Sequence, residues 1–275
     1  PRYASFQPMS LFLNNIWDVP APMRVLATNN SFWNIVVSQR PNMLRNFASH
    51  SQGMAALVDM DFWSRRTIVE DGHQFWRSYF RYDGHYSVVP VYVPIYQDAV
   101  MTEKYIRTLK AQFVQLRRWA YGASDIPYVA ERILTKKRTV PLWDGCLKLL
   151  RLVDSHVSWA SAPFVLLFGA FAPLFLSSES SRSIVAHQLP SIASTIQQLA
   201  MIGILIIIIV SFRLLPERPK RYKWTRSLGM TVQWVLAPVL GIVYGASAAL
   251  NSQTRLLFGK YLDKFDVTEK AVVKQ

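Results

Sequence analysis

Three long stretches of this chain carry no charged residue: 157–176, 192–212 and 228–250. A helix needs roughly twenty consecutive apolar residues to cross a hydrocarbon core of about 30 Å. Lipid offers the backbone no hydrogen-bond partners, so such a segment must satisfy its own polar groups. The first two stretches meet that requirement, with Ile204 to Val210 the most apolar run; Pro238, Gly241 and Gly245 interrupt the third. Hydrophobic residues make up 51% of the 275, and the excess lies almost wholly after residue 156. The chain therefore reads as a more polar N-terminal lobe followed by a helical membrane region.

Charge orients the segments. The net charge is +14, and cations crowd residues 131–155 (Arg132, Lys136, Lys137, Arg138, Lys148, Arg151) and the run Arg218 to Arg226. Ser177 to Ser191 is nearly free of them. The positive-inside rule puts both basic loops in the cytoplasm and the serine-rich loop outside. If 228–250 crossed, Arg255, Lys260, Lys264, Lys270 and Lys274 would lie outside. That conflict makes 228–250 a broken or interfacial element and 251–275 a cytoplasmic tail. Residues 131–156, with Trp143, Leu147, Leu149, Leu150 and Leu152 among the cations, read as an amphipathic interface segment. The positive charge is thus assigned to a lipid bilayer. Nucleic acid is not expected as a partner, because no helix-turn-helix, zinc-finger or aromatic-basic sheet signature is present. The single Cys146 excludes an internal disulfide and a cysteine zinc site. His50, His73, His85, His156 and His187 have no zinc-ligand spacing, so no metal site is expected within the chain.

Residues 1–130 read as an α/β lobe. Turn-rich segments surround Pro8 and Pro20-Ala21-Pro22, and Phe32 to Val37 fits helix or strand. Phe47 to Gln52, rich in small and polar residues, reads as a cleft wall or as an ordinary loop entering a strand, with Gly53 at a tight turn or a close backbone approach and Met54 to Val58 as a buried strand. Phe75, Trp76, Tyr79 and Phe80 recur at helical spacing, which predicts a helix over 71–86 with Asp71 as its N-cap. Ser87 to Pro94 predicts an edge-type strand, since Pro90 and Pro94 lack amide donors. Residues 99–124 predict a second helix, and alternating strands and helices suit half of an α/β sheet domain.

Two parts of this lobe carry chemistry. Glu70-Asp71 offers an acidic pair at a helix start, and Gln115-Leu116-Arg117-Arg118-Trp119 offers an amide, a guanidinium and an indole within about one turn. A proton-accepting acid near a cation and a flat ring suggests group transfer from a phosphorylated, sugar-bearing ligand. A non-catalytic transporter or scaffold with a basic cytosolic domain is the competing reading. The first two apolar stretches contain none of the intramembrane charge that favours a transporter.

Glu70-Asp71 resembles the Thr-Glu-Asp motif of processive family 2 glycosyltransferases, the class of cellulose, chitin and hyaluronan synthases, with Val69 standing where the family has Thr. Gln115 to Trp119 matches the family's Gln-x-x-Arg-Trp motif in full. Phe265-Asp266-Val267-Thr268-Glu269-Lys270 is similar to the Phe-x-Val-Thr-x-Lys gating loop of cellulose synthases. The three occur in the family's order, with the membrane hairpin between the second and third, and the resemblance covers about residues 45 to 270.

The resemblance implies the C-terminal half of a GT-A-like catalytic domain at the cytoplasmic face of the cell (inner) membrane. It implies inverting transfer from a nucleotide-sugar, expected to be a UDP-sugar, to a saccharide or lipid-linked acceptor, with an export partner or a second copy as further partners. Asp71 becomes the general base, and Glu70 orients the loop. Arg118 stabilises the leaving diphosphate, Trp119 stacks on the acceptor sugar, Gln115 donates a hydrogen bond and His73 lines the site. Phe265, Val267, Thr268 and Lys270 close over the nucleotide. The family's Asp pair for uridine and its Asp-x-Asp motif for Mg2+ or Mn2+ are expected upstream of Pro1; Asp59-Met60-Asp61 sits too close to Glu70 to serve. The chain opens without an initiator Met, so it is expected to be a piece of a longer protein, inactive alone.

Overall fold

The computed structural model describes residues 2–176, 179, 182–265, 267, 268 and 270. The lobe is built on a three-stranded mixed sheet of β1 (Ala4–Leu11), β2 (Ser51–Gln52) and β3 (Ser87–Tyr96) in the order β2-β1-β3. β1 is central, antiparallel to β2 and parallel to β3. Pro8 stands inside this central strand, where a missing amide donor is normally excluded. The ladder tolerates it because the register slips between Pro8 and Met9, a bulge that relieves one hydrogen bond. β3 is an edge strand, as its prolines require.

The parallel β1–β3 pair is connected through helices α1 (Ala21–Ser38), α2 (Met54–Asp59) and α3 (Glu70–Arg81). α1 begins on the turn at Pro20, with Pro22 in its first turn, and it takes in Phe32 to Val37 as helix. The expected strand over Met54 to Val58 is instead α2. Its Ala56 and Leu57 are buried while Met54 and Val58 face solvent, so the run is apolar on one side only. The expected N-cap is also displaced: Val69 caps α3, and Asp71 is its second residue.

Helix α4 (Tyr105–Ala120) passes through a 3-10 turn, Tyr121–Ser124, into α5 (Asp125–Leu134). α6 (Leu142–Phe168) joins the lobe to the apolar region without a break, so the boundary placed at residue 156 falls inside one helix. Its first half is anchored in the lobe. Leu152 is buried in a core with Phe75, Trp76 and Tyr79 of α3 and Val129 and Ile133 of α5, and Asp144 accepts from Tyr79 Oη at 2.7 Å and Lys148 Nζ at 2.5 Å. Trp143 and Leu150 face outward.

Among the described residues three helical segments are long and apolar enough to cross a membrane: Leu142–Leu176, Ile184–Leu214 and Trp224–Leu257. The first comprises α6, a 3-10 turn and α7 (Ala172–Leu176); the second is α8 (Ile184–Leu214). They pack on one another, and Gln197 Nε2 donates to the Leu166 carbonyl. The third strings together α9 (Trp224–Val232), a 3-10 turn, α10 (Ala237–Leu240), a π-helical turn over Gly241–Ala246 and α11 (Ser247–Leu257). The apolar windows of the first two are 6% buried against 28% for the third. The difference arises because Met230, Trp234, Leu240, Tyr244 and Ala248 share a core with Leu11, Leu13, Trp17, Val19 and Met23 of the lobe. Val232, Val235, Val239 and Val243 are exposed.

Candidate functional site

Asp71 is held in the first turn of α3, where unpaired helical amides favour an anion. Its Oδ1 accepts from the Gly72 amide at 2.7 Å. Burial raises its pKa above the usual aspartate value of 3.8, while that amide bond and the neighbouring His50 and Arg118 pull the other way. A carboxylate whose affinity for a proton is raised by burial suits a group that must take one. Asp71 and Glu70 line a cavity of about 330 Å³ with Ala48, Ser49, His50 and Trp63, within the usual size of small-molecule sites.

The cavity wall is tied down from several directions. Gln7 of β1 accepts from the Phe47 amide at 2.7 Å and donates to the Ala48 carbonyl at 3.4 Å, and Ser5 Oγ donates to Asn46 at 2.6 Å. Arg77 of α3 donates to the carbonyls of Met60 and Phe62. These bonds hold backbone that is strained locally. Ser49, Asp61 and Phe62 all have positive φ, at 71°, 54° and 57°, which side chains other than glycine adopt at a cost. His73 lies behind the acidic pair rather than among the cavity's lining residues. Its Nδ1–H donates to Asp125 Oδ1 at 2.6 Å, and its ring meets Tyr128 edge-on at 4.6 Å. The first turn of α3 is thereby tied to the first residue of α5, and so to the end of α4.

Arg118, near the end of α4, lies close enough to Asp71 for its charge to pull that carboxyl's pKa down. Its guanidinium lies 4.1 Å from the ring centroid of Phe265, a cation–π arrangement. Gln115 is buried and accepts from Gln112 Nε2 at 3.2 Å. The Trp119 ring packs on Phe12, centroids 6.0 Å apart, against the lobe core; it is not among the residues lining the Asp71 cavity. The tail follows α4 back along the lobe. The Leu262 amide donates to Tyr121 Oη at 3.3 Å, and Lys270 bridges Met101 in parallel. Val267 is exposed and Thr268 half-buried; Asp266 and Glu269 of the same motif lie outside the described residues. Asp59 is occupied by Arg2 at 2.7 Å and Tyr82 Oη at 3.0 Å.

His50, Trp63, Gln7 and Asp125 were not singled out as site residues by the sequence patterns. Gly53 is extended backbone at the N-cap of α2 rather than a tight turn, and nothing in the spelling of residues 59–63 marks the turn that presents Trp63. Comparison with protein-family models, with curated proteins and with solved structures gave no match.

Proposed function

We propose that this chain is the membrane-proximal part of an inverting glycosyltransferase with a GT-A-like lobe. It moves a sugar from a nucleotide-sugar, expected to be a UDP-sugar, to a growing saccharide or lipid-linked acceptor at the cytoplasmic face of the cell membrane. The observation that carries this reading is the convergence of three distant segments. Asp71 interacts with Arg118, and Arg118 sits against Phe265. An acid, a cation and the first residue of a motif similar to the gating loop of family 2 enzymes thus share one locality although they span 195 positions.

In this reading the acceptor hydroxyl attacks the anomeric carbon of the donor as the bond to the nucleoside diphosphate breaks. Asp71 takes the hydroxyl proton. Arg118 steadies the negative charge that gathers on the departing diphosphate, and Phe265 holds the guanidinium in place. Gln115 and Trp119 shape the wall behind Arg118. Mg2+ or Mn2+ supplies charge neutralisation to the diphosphate in the family resembled. Among the described residues no three His, Cys, Asp or Glu side chains gather to hold such an ion, and no step here runs through it.

The membrane arrangement is read from both ends of each apolar segment. α6 starts in the lobe core, and α8 ends beside it, where Trp17 Nε1 donates to the Pro216 carbonyl at 3.0 Å. α6, α7 and α8 then form a hairpin that leaves the lobe and returns. The third segment touches the lobe at its start, through Arg226 to the Trp17 carbonyl at 2.6 Å, and again in the tail after its end. A segment with both ends on the same lobe does not cross, and its exposed valines suit the bilayer surface.

The test is Asp71→Asn in the whole protein: sugar transfer is expected to vanish while nucleotide binding persists. Transfer at the wild-type rate would refute the assignment of the base.

A further inference from the structure

The cavity beside Asp71 contains two side chains that the transfer chemistry above does not use. His50 Nδ1 lies 2.8 Å from the Phe47 carbonyl oxygen. A carbonyl only accepts, so Nδ1 donates its proton there and Nε2 is the ring nitrogen left to meet a ligand. That nitrogen is buried and has no hydrogen-bond partner, an arrangement that costs free energy unless something pairs with it. Trp63 meets the His50 ring at 6.2 Å and 63° and is 39% exposed. A large indole left open beside two carboxylates and a free ring nitrogen is a surface for a ligand with one apolar face and several hydroxyls. The strain at Ser49, Asp61 and Phe62 lies in the residues that set these two side chains, and Arg77 holds the second turn closed.

We propose that His50 and Trp63 are positioning residues for a neutral acceptor saccharide, a role that rests on the transferase reading. Trp63 stacks on the C–H face of the acceptor sugar. His50 Nε2 accepts a hydrogen bond from a hydroxyl next to the one that reacts, and so turns the reacting hydroxyl toward Asp71. A neutral sugar fits better than an anionic one because Glu70 and Asp71 line the same cavity.

The experiment uses the whole protein in lipid nanodiscs, with linear tetrasaccharides of glucose, N-acetylglucosamine and mannose as probes. Binding is measured by calorimetry and transfer kinetics with the best binder as acceptor. His50→Asn keeps a donor for the Phe47 carbonyl but lacks the distal acceptor. It is expected to weaken binding and raise acceptor KM at least fivefold, with donor KM unchanged. His50→Gln returns an amide oxygen to the distal position and recovers most of the loss. Trp63→Leu weakens binding similarly, and Trp63→Tyr restores it. No binding by any probe, or unchanged acceptor KM in both His50→Asn and Trp63→Leu, overturns the proposal. The two readings fail separately. Wild-type saccharide binding in these variants, with Asp71→Asn inactive, removes the positioning role alone; weakened binding in these variants, with no sugar transfer by the wild type from any nucleotide-sugar, removes the transferase reading alone.

Discussion

The bond between His73 and Asp125 is the described side-chain hydrogen bond that ties the acidic turn of α3 to the segment following α4, and its strength can be worked from the geometry. The Nδ1–Oδ1 distance is 2.6 Å, and the two side chains are 14% and 6% exposed. A hydrogen bond to a charged group contributes about 1.5–3 kcal/mol. Removing the imidazole leaves the buried Asp125 carboxyl without that partner, which costs about 1–3 kcal/mol and more for a charged group. Asp125 also supports Arg45, whose guanidinium lies 4.3 Å from the Trp76 ring centroid and whose pKa burial pushes down to about 10. His73→Ala is therefore expected to cost about 3 kcal/mol. Asp125→Asn keeps an acceptor oxygen and is expected to cost about 1 kcal/mol for the lost charge. The double variant should show a coupling of about 2 kcal/mol. At roughly 2–4 °C per kcal/mol for a chain of this order of size, His73→Ala should lower Tm by about 6–12 °C. Urea unfolding of the four proteins in one detergent, followed by helical circular dichroism, gives the cycle. Additivity within about 0.5 kcal/mol would show that the two side chains do not hold the elements together.

Asp71→Asn should stabilise the protein at neutral pH even as it removes transfer. Because burial raises the folded-state pKa of Asp71, its favourable contribution is complete below the unfolded value and is lost as pH rises through the folded one. The variant's advantage should therefore disappear in acid, and an advantage that grows in acid would reverse the argument. Phe265→Ala removes the ring beside Arg118, a contact of about 0.5–1 kcal/mol; proteolysis near Lys264 should become faster, and an unchanged rate would show that the tail is held elsewhere. In a Cys146→Ser background, single cysteines at Lys136, Arg218 and Lys264 should label from one side of the membrane and one at Glu179 from the other. Labelling of Lys264 together with Glu179 would restore a third crossing.

Some of this architecture was legible in the residues, and the reasons are physical. α3 was readable because Phe75, Trp76 and Tyr79 all enter one core, so burial imposed the helical period on the sequence. β3 was readable as an edge because Pro90 and Pro94 cannot serve a ladder on both sides. α2 was not, since six residues with one buried face are too few for periodicity to separate helix from strand. The third apolar segment was readable only as interrupted. Its Gly241-to-Ala246 turn is wound as a π-helix, a distortion set by how Leu240, Tyr244 and Ala248 meet the lobe core.

The candidate site divides along the same line. Asp71 and Arg118 were visible because each belongs to a short motif spelled by adjacent residues. His50 and Trp63 were not, because what makes them useful is contributed from elsewhere. Gln7 on the central strand holds the loop carrying His50. Arg77, on the helix that also bears Asp71, closes the turn before Trp63. Ser49, Asp61 and Phe62 occupy left-handed backbone without being glycine, so composition gives no warning of the turn. A side chain placed by strain leaves its trace in the residues that hold the strain. Arg77→Met is accordingly expected to weaken saccharide binding at Trp63 while leaving Asp71 seated in its helix, and equal loss of both would mean that the turn and α3 unfold as one unit.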